Sequence, residues 1–131
     1  VIEHLQLEPG TPVAYIKRLF LFDGKPLAVG RSWLSLARFP GLDETGLGEK
    51  GLTATLRSRY NTIIRRFNDA IEAVRPAPDE RNLLDVSYDC PLLMVRGLSF
   101  DQHNVPVEYS TTYWLGDKVR FTVSMNTQEV E

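Results

Sequence analysis

Cysteine, histidine and methionine are scarce in this sequence, with one Cys, two His and two Met among 131 residues. The single cysteine, Cys90, excludes an internal disulfide, and its isolation indicates a reducing, cytoplasmic location. His4 and His103 are far apart in the chain, so a metal site is not expected. No nucleophile stands beside a recognisable base. We therefore predict no catalytic residues, no metal and no cofactor.

A strong positive charge and long apolar runs are also missing. The 15 basic and 17 acidic residues give a net charge of -2, which argues against direct binding of nucleic acid by this chain. No apolar run approaches the length of a membrane span, and no leader-like segment precedes Val1. The absence of an initiating Met suggests a fragment of a longer protein, and the length predicts one globular domain over residues 1–131.

The most informative stretch runs from residue 91 to residue 119. Two segments rich in β-branched and aromatic residues flank the polar turn 101–104, which predicts a β-hairpin. Because side chains alternate along a strand, the second arm has one bulky face and one polar face. The polar face carries Glu108, Ser110, Thr112 and Trp114. A face built from a carboxylate, two hydroxyls and an indole is typical of a cavity wall.

A related hairpin is predicted nearer the start of the chain, with strands at 13–22 and 27–36 around an Asp-Gly turn. It aligns with the later hairpin through Pro12 and Pro91, and again through Pro26 and Pro106. The equivalent face of the early hairpin carries Arg18, Phe20, Ala28, Gly30 and Ser32. The later hairpin adds two small residues, Gly97 and Ser99. Together the two faces predict a concavity that contains two opposed charges, Arg18 and Glu108.

The remaining segments predict helices and one further strand. A helix is expected at 52–60 with Thr53 as its N-cap, preceded by a mobile loop at 43–51 that contains three glycines. Apolar spacing over 61–74 favours a helix, although 70–74 could equally form a half-buried strand. A short helix at 79–84 and a last strand at 119–125 complete an α+β fold with a mostly antiparallel sheet.

Several motifs resemble those of the UTRA domain, the C-terminal effector-binding domain of GntR-type bacterial transcriptional regulators of the HutC subfamily. They are Pro-Val-x-Tyr-Ile-x-Arg-Leu at 12–19, Asp-Gly-x-Pro-Leu-Ala at 23–28, Val-Pro-Val-Glu-Tyr-Ser at 105–110 and Tyr-Trp-x-Gly-Asp-x-Val-x-Phe at 113–121. The resemblance implies a chorismate-lyase-like fold, a homodimer and an N-terminal winged helix-turn-helix domain that is absent from this chain. It also implies a strand within 61–74.

The resemblance further implies a ligand pocket with an Arg at Arg18, a Glu at Glu108, an aromatic at Trp114 and a hydroxyl at Thr53. Three positions depart from the sugar-phosphate-sensing pattern. This chain has Phe20 in place of a second Arg, Gly30 in place of a Glu and Thr55 in place of a Tyr. These groups would dictate which metabolite fits, so the identity of the ligand does not carry over. The predicted ligand-binding set is Arg18, Phe20, Gly30, Thr53, Thr55, Glu108, Ser110 and Trp114.

The resulting hypothesis is a sensor of a small anionic metabolite that controls DNA binding through the absent N-terminal domain. Arg18 and the helix N-terminus would bind the anion, Glu108 would accept hydroxyl or ammonium groups, and Trp114 would supply a flat wall. The alternative is a chorismate-lyase-like enzyme in which Arg18 holds an aromatic carboxylate and Glu108 is a general acid. Structural roles also remain open, with Arg18 paired to an acid, Glu108 guarding a sheet edge and Trp114 in the core.

Overall fold

A five-stranded antiparallel sheet organises the chain in the computed structural model, which describes residues 1–48 and 50–127. The strand order is β1-β2-β5-β4-β3. The elements are β1 (Val13–Phe22), β2 (Lys25–Ser35), α1 (Leu42–Thr45), α2 (Leu52–Tyr60), β3 (Arg66–Val74), α3 (Pro78–Leu84), β4 (Leu92–Phe100) and β5 (Pro106–Leu115). The predicted α+β class is confirmed. No helix in the described residues combines the length and apolarity that a bilayer span requires.

Both predicted hairpins form, and they meet in the middle of the sheet. Asp23 and Gly24 link β1 to β2 with φ angles of 52° and 75°, as a two-residue turn of the primed kind requires. β2 then pairs with β5, from Ala28 opposite Trp114 to Leu34 opposite Glu108. This pairing places the arms that carry the predicted site residues side by side.

The ambiguous segment contains a strand, as the family resemblance implied, and the helix favoured by its apolar spacing is wrong. β3 pairs along its whole length with β4, from Arg66 opposite Phe100 to Val74 opposite Leu92. Its apolar residues Phe67 and Ile71 are four positions apart, a spacing that fits one face of a helix and one face of a strand equally well. The backbone partner offered by β4 decides between the two.

Helices cover parts of both sheet faces. We call the face that carries Arg18 and Glu108 the site face, and the opposite one the α3 face. On the site face, α1 and α2 pack against one end of the sheet through Ala14, Leu34, Phe39, Leu42, Leu52 and Leu56. On the other, α3 packs through Val29, Leu84, Leu92 and Leu115. On the site face, α1 and α2 therefore cover the end of the sheet that carries Ala14 and Leu34.

An ion-pair network fastens α3 to the sheet. Arg31 on β2 binds Glu80 at 2.8 Å and Asp79 at 2.5 Å, and Lys17 on β1 binds Asp79 at 2.8 Å. Hydrogen bonds from Lys17 and then from Arg31 lower the pKa of Asp79 below its ordinary value. Glu80 is only 4% exposed, and its Oε2 atom has no hydrogen-bond partner in the part of the chain that the structure describes. The Arg31–Glu80 contact is thus a buried ion pair, whereas Asp79 faces solvent.

A buried carboxylate fixes the turn between β4 and β5. Asp101 accepts hydrogen bonds from the backbone N–H groups of His103 at 2.8 Å and Val105 at 2.9 Å, and it forms an ion pair with Arg38. Burial acts to raise the pKa of Asp101, but the hydrogen bonds from Arg38 and the two amides outweigh it and the net shift is downward. The turn is thereby attached to the segment that follows β2.

Two local predictions are wrong. Thr53 is not an N-cap, because α2 begins at Leu52 and its N-cap is Gly51, with φ of 91° and no side-chain cap. Residues 119–125 form no strand, and Val123 is 78% exposed. An alternating pattern supplies one apolar face, but a strand also needs a neighbour to accept its hydrogen bonds.

The predicted loop at 43–51 is partly helical. The short helix α1 includes residues up to Thr45, and Leu42 at its start is buried in the core on the site face. The rest of the loop is irregular where the structure describes it, and residue 49 lies outside the described residues. The mobility expected from its glycines stays a prediction.

Candidate functional site

Strand register brings six of the eight predicted ligand-binding residues onto the site face. In antiparallel pairing, residues opposite one another point to the same side of the sheet. One row of partners across the sheet is Arg18, Gly30, Thr112, Val95 and Ile71, and the next is Ile16, Ser32, Ser110, Gly97 and Asp69. The rows on either side contribute Glu108 with Ser99, and Phe20 with Trp114. The two hairpins therefore form one continuous polar surface.

Arg18 has donors that the protein itself does not use. Its Nη2 atom donates to Ser32 Oγ at 3.4 Å, which is long for a hydrogen bond, and its buried Nε has no partner among the described residues. No ion pair of Arg18 is present within residues 1–48 and 50–127. The guanidinium carbon lies 5.1 Å from the centre of the Phe20 ring, which orients it. A half-buried cation with an unused donor is suited to an anionic ligand.

Glu108 is half-buried, and its carboxylate accepts a hydrogen bond that is long. Ser99 Oγ donates to its Oε1 at 3.5 Å, again a long contact. Burial raises the pKa of Glu108, and this outweighs the opposing effects of Ser32, the Arg18 charge and Ser99, while the negative charge of Asp69 raises it further. The Glu108 carboxylate can therefore accept hydrogen bonds from donors on a ligand.

Aromatic rings close one end of the site face. The rings of Phe20 and Trp114 stack at 6.1 Å with an interplanar angle of 10°, and Phe121 packs edge-on against Trp114 at 6.1 Å. Phe20 also lies over Gly30, because a Cβ atom on that glycine would be 2.9 Å from Phe20 Cε2. Phe20 and Gly30, two of the departures noted from the resemblance, therefore depend on each other. The ring of Phe20 fills the space that a side chain at residue 30 would need.

The two threonines of α2 are not brought together with the rest of the site. Thr55 is buried, accepts a hydrogen bond from the Gly48 N–H at 3.0 Å and donates one to the Gly51 carbonyl at 2.7 Å. Thr53 is exposed on the first turn of the helix. Within the described residues, neither hydroxyl bonds to a residue of the site face. Thr55 instead holds the loop that leads into α2, which begins beside the site at Leu52.

Sequence reasoning missed one residue of the site face, Asp69. It lies opposite Gly97 in the β3–β4 pairing, and a Cβ atom on Gly97 would be 2.2 Å from Asp69 Oδ1. Asp69 is exposed as a residue, but partial desolvation of its carboxyl group raises the pKa of that group. The helix interpretation of residues 61–74 hid Asp69, whereas strand alternation would have placed it on one face with Phe67 and Ile71.

Two cavities of the described structure lie away from Arg18 and Glu108. In the part of the chain that the structure describes, a groove of about 630 Å³ lies beside α3, and a cavity of about 150 Å³ lies between the N-terminal segment and β5. Neither is lined by Arg18 or Glu108. No group of three or more His, Cys, Asp or Glu in the described residues is arranged to hold a metal ion.

Comparison with known proteins identifies relatives over most of the chain. The family profile of the UTRA domain matches residues 1–120. The HTH-type transcriptional repressor PhnF of Mycolicibacterium smegmatis is 31% identical over 124 residues, which cover 95% of this chain and 50% of PhnF. The probable fructoselysine utilization operon transcriptional repressor of Escherichia coli is 24% identical over 124 residues, covering 92% of this chain and 50% of that protein.

A solved structure shows the same fold. The effector domain of PhnF from Mycobacterium smegmatis superposes with a TM-score of 0.89 at 30% sequence identity, over 96% of this chain and 77% of that one. The chain spans about half the length of the curated relatives it matches. The comparison therefore concerns one domain of those longer proteins.

Proposed function

The chain belongs to the UTRA domain family found in GntR-type transcriptional regulators, and we propose that it is the effector-binding domain of such a regulator, of the HutC subfamily. It would bind a small anionic metabolite on the site face and thereby control DNA binding by a winged helix-turn-helix domain N-terminal to it. The observation that carries this proposal is the half-buried guanidinium of Arg18, whose buried Nε has no partner in the described residues and which lies on the same face as Glu108.

The site face offers a complementary group for each part of such a ligand. Arg18 presents a planar fork of donors to a carboxylate or phosphate, and Ser32 adds a hydroxyl beside it. Glu108 accepts hydrogen bonds from the other end of the ligand, and the stacked rings of Phe20 and Trp114 form an apolar wall. The long contacts that Arg18 and Glu108 make within the protein would be exchanged for shorter ones to the ligand.

The N-terminal segment is in direct contact with β5, the strand that carries Glu108. The ring of His4 lies 4.6 Å from that of Tyr109, which follows Glu108 directly in the chain, and Leu5 is 3% exposed. A ligand that favours one position of β5 would therefore also favour one position of the N-terminal segment. Coupling of about 1–3 kcal/mol is typical of allosteric proteins and would suffice to change DNA affinity.

The proposal includes a homodimer in which the segment after β5 takes part. Residues 119–125 alternate apolar and polar side chains, yet Val123 and Met125 are 78% and 88% exposed. A second copy would cover these side chains and supply the missing hydrogen-bond partners.

Light scattering on the chain should therefore give the mass of a dimer, because burial of the alternating segment favours association. Val123→Asp combined with Met125→Asp should shift the population toward the monomer, since each change places a charge in the proposed contact. Replacing Tyr88, an exposed apolar residue outside this segment, with Asp serves as the control. A double variant that keeps the dimer mass would exclude this segment from the interface.

The alternative function is a lyase that acts on an aromatic carboxylate, with Arg18 as the carboxylate clamp. The raised pKa of Glu108, caused first by burial, would suit a general acid. The names of the relatives describe transcriptional regulators, which favours the sensor.

The test that separates the two functions is a screen of the purified chain against phosphorylated, carboxylated and phosphonate metabolites, read out as a change in melting temperature. An effector present at about 100 times its Kd should stabilise the fold by about 2.7 kcal/mol. Chorismate and related aromatic carboxylates are incubated in parallel and analysed for product. Turnover without any stabilising metabolite would reject the sensor and support the enzyme.

A further inference from the structure

We propose that the effector carries a cationic group, an ammonium or a similar group, as well as an anion, and that Asp69 is the residue that selects for it. The inference rests on the proposed function, because it concerns the ligand of the same site face. Asp69 lies on β3, at the opposite edge of the sheet from Arg18 on β1, and none of the motifs that identify the family contains it.

The Asp69 carboxylate occupies space that a side chain at residue 97 would need, and residue 97 is a glycine. Gly97 on β4 is its partner in the register, and a Cβ atom there would be 2.2 Å from Asp69 Oδ1. The carboxylate therefore leans over β4 into the space above Gly97, toward β5. Because β5 carries Glu108, the two carboxylates approach the same part of the site from the two strands that flank β4.

The charges on this face favour a ligand with both signs. In the four rows of partners that run from Ala14 to Phe20 on β1, the charged residues are Arg18, Glu108 and Asp69. One positive and two negative groups give a net charge of 1 − 2 = −1 when all are ionised. An effector with anionic groups only would add to this excess, whereas a cation between the two carboxylates would relieve their mutual repulsion.

Asp69 and Glu72 are both exposed acids of β3, but they differ in whether they are paired. Glu72, on the other face of β3, forms an ion pair with Arg96 at 3.2 Å. Asp69 has no ion pair and no side-chain hydrogen bond within residues 1–48 and 50–127. Its carboxylate is thus available to a ligand, and Glu72 provides a matched control for removal of one negative charge from β3.

The sheet also limits the shape of the effector. The guanidinium of Arg18 reaches Ser32 on β2, whereas Asp69 leans over β4, and neighbouring strands are about 4.8 Å apart. The anionic and cationic centres of the effector should therefore be roughly 5–10 Å apart. Amino-alkyl carboxylates, phosphates and phosphonates all meet this description, and the site face suits each of the three anions.

The experiment uses pairs of probes that differ only in the cation. Amino-alkyl carboxylates, phosphates and phosphonates with chains of about two to five carbons are each compared with the same compound in which hydrogen replaces the amine. Binding to the chain is measured by calorimetry and by melting temperature. At least one amine-bearing probe should bind more tightly than the matching compound without the amine. Asp69→Asn should lower the affinity for that amine-bearing probe about tenfold, while the affinity for the matching compound stays the same or rises. Glu72→Gln should leave both unchanged.

The outcomes separate this inference from the proposed function. If probes without the amine bind as tightly as their partners, or if Asp69→Asn and Glu72→Gln behave alike, the selection for a cation is overturned. In that case, loss of binding in Arg18→Gln would leave the anion-sensing function standing. Absence of binding by every probe of both kinds would count against both proposals.

Discussion

Replacing Arg31 with methionine should lower the free energy of unfolding by about 3–5 kcal/mol, because it leaves the Glu80 carboxylate buried without its partner. Glu80 is 4% exposed, and one of its oxygens already lacks a hydrogen-bond partner within the described residues. Denaturant unfolding followed by circular dichroism measures the change. A loss of this size is a large part of the stability of a typical domain, so α3 should detach from β1 and β2 in the variant.

The chain supplies a matched control for this prediction. Arg96 is in the same row of the α3 face as Arg31, but its ion pair with Glu72 is about half exposed at both ends. Arg96→Met should cost no more than about 1 kcal/mol, as is usual for exposed ion pairs. Arg31→Met combined with Glu80→Leu should recover much of the loss, because no uncompensated charge remains. Equal effects of Arg31→Met and Arg96→Met would contradict the assignment of a buried pair.

Arg18→Gln should reduce the affinity for the best anionic effector about 100-fold, or more, because it removes the charge that the ligand anion binds. The free energy of unfolding should change much less than in the Arg31 variant, since Arg18 has no ion pair in the described residues and its buried Nε is unsatisfied. Calorimetric titration and denaturant unfolding of the same preparations give the two quantities.

Lys17→Gln is the control for Arg18→Gln. Lys17 is the preceding residue on β1, and its side chain projects from the α3 face to Asp79, away from the ligand. The variant should bind the effector as the unsubstituted chain does. If Arg18→Gln retains full affinity while Lys17→Gln does not, the site has been placed on the wrong face of the sheet.

Some parts of the fold were predictable because local rules determine them. Strand alternation separated Glu108, Ser110, Thr112 and Trp114 from the bulky face of β5, and the register confirms that they share one side. The Asp-Gly dipeptide at 23–24 predicted a tight turn, which forms with positive φ at both residues. These features depend on residues that are neighbours in the chain, so the sequence contains the information needed to place them.

Other parts depended on partners that are distant in the chain. The four-residue spacing of Phe67 and Ile71 fits either a helix or a strand, and only pairing with β4 made it a strand and placed Asp69 on the site face. Glu80 is an acid in the first turn of α3, and only the fold places Arg31 opposite it. Each case required knowledge of what lies across the sheet.

By itself the sequence determined the two hairpins, the α+β class and the face that carries Arg18 and Glu108, because periodicity and turn chemistry act over a few residues. Its motifs also resembled those of the family to which the chain belongs. Tertiary structure alone decided that Asp69 joins Arg18 and Glu108 above Gly97, that Thr55 holds a loop, and that residues 119–125 remain without a strand partner. The reason is physical: burial, charge pairing and backbone hydrogen bonding between strands depend on residues far apart in the chain.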